Sequence, residues 1–95
     1  MHKVFDDKDL KKAIEKLEGW EVKDGKLNAQ IEFENFKEAF TIMTRIAFEA
    51  ELLAHHPEWT NVYNQLDISL TTHDAGGITE KDITLAKRIN EIIGW

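Results

Sequence analysis

The sequence predicts an α+β fold: a two-layer sandwich with a four-stranded antiparallel sheet and three helices on one face, in the order α-β-β-α-β-β-α. Three observations predict it. Apolar residues recur at helical spacing in three segments. Between them, two segments alternate apolar and polar residues with the two-residue period of a half-buried strand. Turn residues then divide each alternating segment into a hairpin. Ninety-five residues with 42% apolar content suit a single domain over residues 1–95.

The elements follow in order. "DDKDLKKAIEKLEGW" sets Leu10, Ala13, Ile14 and Leu17 on one helical face, with Asp at the start and Gly19 at the stop. "WEVKDGKLNAQIEF" changes period: Leu27, Ala29, Ile31 and Phe33 alternate with Asn28, Gln30 and Glu32, and Asp24-Gly25 is a two-residue hairpin turn. "ENFKEAFTIMTRIAFEAELLAHH" returns to helix, with Asn35 as N-cap, Glu38 at the capping-box position and Pro57 forcing the exit. In "NVYNQLDISLTTH", Leu66, Ile68, Leu70 and Thr72 face one way and Asp67, Ser69, Thr71 and His73 the other. Asn64-Gln65 is the weaker turn that pairs this strand with a short one around Val62 and Tyr63. "DAGGI" is a loop, and "TEKDITLAKRINEIIGW" is a final helix capped by Thr79.

The second helix is more apolar than one face needs. Phe36, Ala39, Phe40, Met43, Ile46, Ala47, Ala50, Leu53 and Ala54 form a continuous stripe, and Ile42, Phe48 and Leu52 lie outside its centre. Either the helix is deeply embedded, or the excess is a helix-to-helix contact in an oligomer.

Composition excludes several functions. Zero cysteines removes disulfides, thiolate zinc sites and iron–sulfur clusters. Twelve basic against eighteen acidic residues give a net charge of −6 with no basic cluster, which argues against nucleic acid and anionic membrane as direct partners. No apolar run is long enough for a membrane span, and the acidic, amphipathic N-terminus does not read as a signal peptide. A cytoplasmic protein is expected.

The chemistry concentrates in "ELLAHHPEWTNVY", where two of the four histidines stand together before the only proline. Glu51 and His55 are four residues apart, so one helical face would let the carboxylate orient the imidazole and fix its tautomer. His56 points about 100° away by helix geometry, unless the helix has already opened ahead of Pro57; His73 ends the last strand before a glycine-containing loop, and His2 is read as terminal and mobile. A plainer reading competes: histidines at a helix C-terminus complement its dipole and cap its carbonyls. Trp59 and Tyr63 read as core or rim aromatics, and Asp82, three residues after Thr79, as a capping-box acid. Glu51, His55 and His73 could together hold a metal, but the H-E-x-x-H signature is absent and direct acid/base use is preferred, with no metal and no cofactor.

Glu51, His55-His56-Pro57, Tyr63, His73 and Asp82, at their spacing, resemble the signature of the pterin-4a-carbinolamine dehydratases, also known as dimerization cofactors of a hepatocyte homeodomain transcription factor. "HHPEW.NVYN", "I.L.TH" and "MTRIAFEAE" are similar to the same family, over nearly the whole chain. The resemblance implies the fold order above and dehydration of 4a-hydroxytetrahydrobiopterin to quinonoid dihydropterin and water, recycling pterin after aromatic amino-acid hydroxylation. It implies His55, His56, His73 and Glu51 as catalytic residues, with His55 and His73 transferring protons and His56 mainly binding pterin. Substrate contacts would come from Ala54, His55, His56, Trp59, Thr71, Thr72, His73, Asp74 and Asp82. Ala54 stands where the family commonly has Asp, Asp74 where Glu is frequent, and Thr71-Thr72 where Ser-Thr is usual. The resemblance further implies a homotetramer built as a dimer of dimers. It leaves two alternatives: a protein-interaction module acting through the second helix, or a related role in molybdopterin metabolism.

Overall fold

Each of the two hairpins closes through a turn that tolerates left-handed backbone, and the sheet is built around their longer strands. The computed structural model describes residues 3–95, so His2 lies outside the described residues. Its elements are α1 (Asp7–Ile14), β1 (Glu21–Lys23), β2 (Lys26–Glu32), α2 (Phe36–Leu52), β3 (Glu58–Val62), β4 (Gln65–Leu70), a 3₁₀ turn (His73–Ala75) and α3 (Glu80–Ile93). The four antiparallel strands lie in the order β1-β2-β4-β3. The expected fold order is observed.

Asp24 and Gly25 both have positive φ, +54° and +73°, as a two-residue turn matched to strand twist requires. In the second hairpin the turn falls one residue earlier than expected, at Tyr63-Asn64, and Gln65 already belongs to β4. Asn61 explains the shift. Its amide donates to the carbonyls of Tyr63 (3.1 Å) and Gln65 (2.9 Å), holding Tyr63 at φ +52°. Asn64 is in turn locked to Phe33 by a side-chain and a backbone hydrogen bond.

Leu27, Ala29 and Ile31 of β2 and Leu66, Ile68 and Leu70 of β4 are buried, while Gln30, Glu32, Gln65 and Asp67 on the other face are exposed. That asymmetry puts all helical contributions on one side. Leu10 of α1, Ile46 and Ala50 of α2, and Ile83, Leu85, Ala86 and Ile89 of α3 join the sheet residues in one core. Helix α1 starts as expected, with Asp6 accepting from the Asp9 amide at 2.8 Å, and Leu17 reaches the core from beyond the helix end. The chain then turns at Gly19, φ +87°, where the Trp95 ring lies so close that a Cβ would sit 1.9 Å from it.

Helix α2 corrects the expected stripe. Ala39, Ile46 and Ala50 face the core with Ile42, Met43 and Leu53 packed beside them, whereas Phe36, Phe40, Phe48 and Leu52 are exposed. Ile42 is therefore a core residue, and Phe36 and Phe40 are not. The helix has two apolar faces, roughly back to back, which a single broad stripe concealed. Its N-terminus is capped by Asn35, which accepts from the Glu38 amide at 2.9 Å, but Glu38 reaches back to the Glu34 amide rather than completing a capping box. Among the described residues, no helix is long and apolar enough to cross a membrane.

Trp20 and Asn90 tie the first hairpin to α3. The buried indole N–H donates to Asn90 Oδ1 at 2.7 Å, and Asn90 donates to the Glu18 carbonyl at 3.1 Å. Trp20→Phe leaves that acceptor buried without its donor, a loss of about 1–3 kcal/mol. Urea unfolding should show the loss, and an unchanged midpoint would mean that the bond contributes nothing net.

Candidate active site

Helix α2 stops three residues before the first histidine, and the way it stops sets the site. Leu53 is the C-cap, and Ala54 takes φ +51°. The Ala54 amide bonds the Glu51 carbonyl (3.1 Å) and the His55 amide bonds the Ala50 carbonyl (3.0 Å). These are the paired closing bonds of a Schellman motif, here with alanine in the left-handed position usually given to glycine. Lys81 Nζ, 3.4 Å from the Ala54 carbonyl, adds a cation at this helix end.

The expected Glu51–His55 pair is therefore not formed, because residue 55 has left the helix and the four-residue spacing no longer makes neighbours. Glu51 instead pairs with His56, Oε2 to Nε2 at 3.1 Å, with both side chains largely exposed. His55 turns inward to Asp82, Nε2 to Oδ1 at 2.5 Å.

Asp82 is fully buried on the first turn of α3. A carboxylate there must be met by donors. Its Oδ2 accepts from Thr72 Oγ1 (2.8 Å) and from the Thr79 amide (2.8 Å), and His55 serves Oδ1. The Thr72 hydroxyl proton is thereby committed, so at the 2.7 Å Thr72–Thr79 contact Thr79 is the donor. Thr79 Oγ1 also accepts from the Lys81 amide at 3.3 Å. The helix N-terminus adds its own positive end. Asp82 caps α3, as the sequence suggested, and the same carboxylate holds His55.

This network dictates the His55 tautomer. An ionised Asp82 only accepts, so the proton must be on Nε2, leaving Nδ1 as the nitrogen free to give or take a proton. Among the described residues no protein group bonds Nδ1, and this nitrogen is not sealed from solvent. Nδ1 thus opens to solvent from an otherwise buried ring.

His73 begins the 3₁₀ turn beyond β4 and is exposed. Its Nε2 meets Glu58 Oε1 at 2.9 Å, while Glu58 Oε2 accepts from Lys26 Nζ at 3.0 Å. The hydrogen bond from Lys26 holds the Glu58 carboxyl below the usual carboxylate range, and the bond from His73 adds to the effect. Neither Glu58 nor Lys26 was singled out from sequence. Glu58 lay in plain sight after His-His-Pro, but its link to Lys26 needs the strand order, which places β4 between β2 and β3. All three described histidines thus bond a separate carboxylate through Nε2.

The α2–β3 connection, the loop after β4 and the start of α3 meet at one end of the sheet. Thr71 Oγ1 donates to the Gly25 carbonyl (3.3 Å), bringing the tip of the first hairpin to the same end. Trp59 is half-buried against the core and Tyr63 is exposed at its turn, as rim aromatics. Ala54 and Asp74 are exposed, whereas Thr72 and Asp82 are buried and meet His55's network rather than the surface. The histidine end is open to solvent at His56 and His73, whose rings are both largely exposed. Glu51, His55 and His73 have separate partners, and no three metal-ligating side chains converge among the described residues.

With this geometry, the comparisons with known proteins agree on one family. The sequence pattern described as "Pterin 4 alpha carbinolamine dehydratase" matches residues 3–92. The chain belongs to that family. A Christiangramia forsetii protein named "Putative pterin-4-alpha-carbinolamine dehydratase" is 50% identical over 93 residues, covering 98% of this chain and 96% of its own. One of the same name from a Chelativorans species is 48% identical over 88 residues, covering 90% of each. The crystal structure titled "transcriptional coactivator/pterin dehydratase" from Brucella melitensis superposes with a TM-score of 0.92 at 37% identity, covering 95% of this chain and 98% of that one.

Asp82→Asn tests the network without changing its shape. Turned toward the two threonine donors, the amide nitrogen leaves both without an acceptor; turned toward His55, it forces the ring to accept at Nε2 and so reverses its tautomer. The expected cost is about 2–4 kcal/mol. Urea unfolding of the variant measures it, and wild-type stability would show the network to be dispensable.

Proposed function

We propose that this protein dehydrates a 4a-hydroxytetrahydropterin to the quinonoid dihydropterin and water, recycling pterin after aromatic amino-acid hydroxylation. The observation that carries this reading is the buried Asp82–His55 pair within a member of the pterin-4a-carbinolamine dehydratase family. The chemistry needs proton transfer and little else. The N5 lone pair forms the C4a=N5 double bond as the C4a–O bond breaks. A protonated imidazole gives its proton to the departing hydroxyl, so that water leaves rather than hydroxide. A second base takes the N5 proton, and the reaction is balanced with no redox change.

His55 and His73 are the proton-transfer groups in this reading, and His56 mainly binds the pterin. Asp82 serves as the positioning residue for His55, because a fully buried carboxylate has no surface with which to touch substrate. Glu51 acts on His56. The backbone of Ala54, together with Thr71 and Asp74, borders the open end and supplies substrate contacts, with Trp59 at its rim.

The direct test is stopped-flow decay of 4a-hydroxytetrahydropterin with and without the protein, followed by steady-state kinetics of folded variants. His55→Ala and His73→Ala should each lower kcat by about 10²-fold or more with little change in KM. His56→Ala should mainly raise KM. If both proton-transfer variants keep nearly full kcat, the histidines are helix caps and surface groups and the mechanism fails.

We also infer a symmetric homo-oligomer through the outer face of α2. That face reads the same in both directions about Thr44: Phe40 and Phe48 lie four residues to either side, Lys37 and Glu51 seven, Phe36 and Leu52 eight. A two-fold antiparallel contact would place aromatic on aromatic and lysine on glutamate twice, as an isologous interface requires. The Thr41 and Thr44 hydroxyls are already bonded to the helix carbonyls of Lys37 and Phe40, which leaves their methyls outward. A dimer of dimers needs a second contact elsewhere. Light scattering at about 10–100 micromolar, a range for weak association, should show an oligomer that Phe48→Asp reduces to a smaller species. A wild-type monomer would refute the interface.

A further inference from the structure

His73 differs from His55 in having no buried network around its ring. Its backbone is nevertheless fixed. Thr72, the residue before it, is buried and bonded through Oγ1 to Asp82 and Thr79. The Thr72 amide donates to the Gly77 carbonyl at 2.9 Å, and the Gly76 amide returns to the Thr72 carbonyl at 3.0 Å. What remains free is the side chain, an imidazole 74% exposed. Such a ring can flip about its last torsion and exchange tautomers in water.

We infer that Glu58 is the positioning residue of His73, selecting its Nε2–H tautomer and directing Nδ1 toward the substrate, while Lys26 holds Glu58 in place. The inference rests on the proton-transfer role proposed for His73. Glu58 is suited to this because it is the first residue of β3, paired with Ser69 of β4, so its backbone belongs to the rigid sheet. Its two oxygens are divided: Lys26 Nζ takes Oε2, and Oε1 is left for His73. Lys26 is itself the first residue of β2, immediately after the Asp24-Gly25 turn. The ion pair thus crosses the end of β4 and leans on both of its neighbours.

Exposed ion pairs contribute little to stability, so stability is not what this arrangement supplies. Its leverage is on orientation, because a hydrogen bond to one ring nitrogen sets where the proton sits and which way the ring faces. The result repeats at the surface what Asp82 does for His55 in the interior. Both histidines then offer the same nitrogen, Nδ1, to a ligand lying across the open end.

Two measurements test this, one of them independent of turnover. Long-range ¹⁵N spectra of the imidazole rings should show neutral His73 almost wholly as Nε2–H in the wild type, and a clearly larger Nδ1–H share in Glu58→Ala. In kinetics, Glu58→Ala should lower kcat about tenfold with KM nearly unchanged, a fraction of the 10²-fold or more carried by the transfer itself. Glu58→Gln keeps an acceptor oxygen and should restore most of the rate. In a His73→Ala background the Glu58→Ala change should have no further effect on kcat. An unchanged tautomer population, wild-type kcat in Glu58→Ala, or the same tenfold loss without His73 would each overturn the assignment. Wild-type kcat in His73→Ala would instead defeat the proton-transfer reading itself, and Glu58's part in turnover would fall with it even if the tautomer still shifted.

Discussion

The carboxylate of Asp82 is the constraint around which the candidate functional end of this protein is arranged. A buried charge is tolerated only when donors surround it, and here they come from three separate stretches: His55 after α2, Thr72 after β4, and Thr79 at the start of α3. Satisfying one carboxylate therefore fixes three connections at once. The same bonds orient an imidazole, close a loop and cap a helix. Folding and the proposed chemistry depend on one set of contacts, so damage to one is damage to the other.

Around this point the two layers divide the work. The sheet buries one face under the helices and leaves the other polar, and its strand order puts Lys26 and Glu58 on either side of β4. The helical layer has a second apolar surface through α2, which presents apolar residues both to the core and away from it. Glu51 stands where that surface meets the candidate site. It bonds His56 at the candidate site, and it lies on the outer face proposed for a second copy.

Most of the fold was legible because it is written in short-range patterns. Period two in β2 and β4, the Asp24-Gly25 turn and the Asn35 and Thr79 caps are local signals with local causes. The misread turn at Tyr63-Asn64 has a cause just as local, the Asn61 amide bonds, but one that no propensity announces. The histidines, Glu51 and Asp82 were found by residue type and motif, whereas Glu58 and the matching of acid to histidine were not. Spacing assigned Glu51 to His55 on the premise that the helix ran on to the proline. An alanine in left-handed conformation ended it early and handed His55 to an acid twenty-seven residues away. Alanine is an uncommon choice for that conformation, so nothing in the sequence marked the stop. Glu58 and Lys26 met only through the strand order, a property of the whole sheet.

One of the Asp82 bonds has a use beyond holding the structure. The Thr79 amide and the His55 ring draw on the same carboxylate, so the amide's exchange with solvent deuterium follows the integrity of that cluster. A single backbone proton, at a helix end where amides ordinarily exchange fast, becomes a resident gauge of whether the Asp82 carboxylate is held in place. It can be followed without substrate, turnover or label on the histidine, and it separates variants that lose the chemistry from those that lose the cluster.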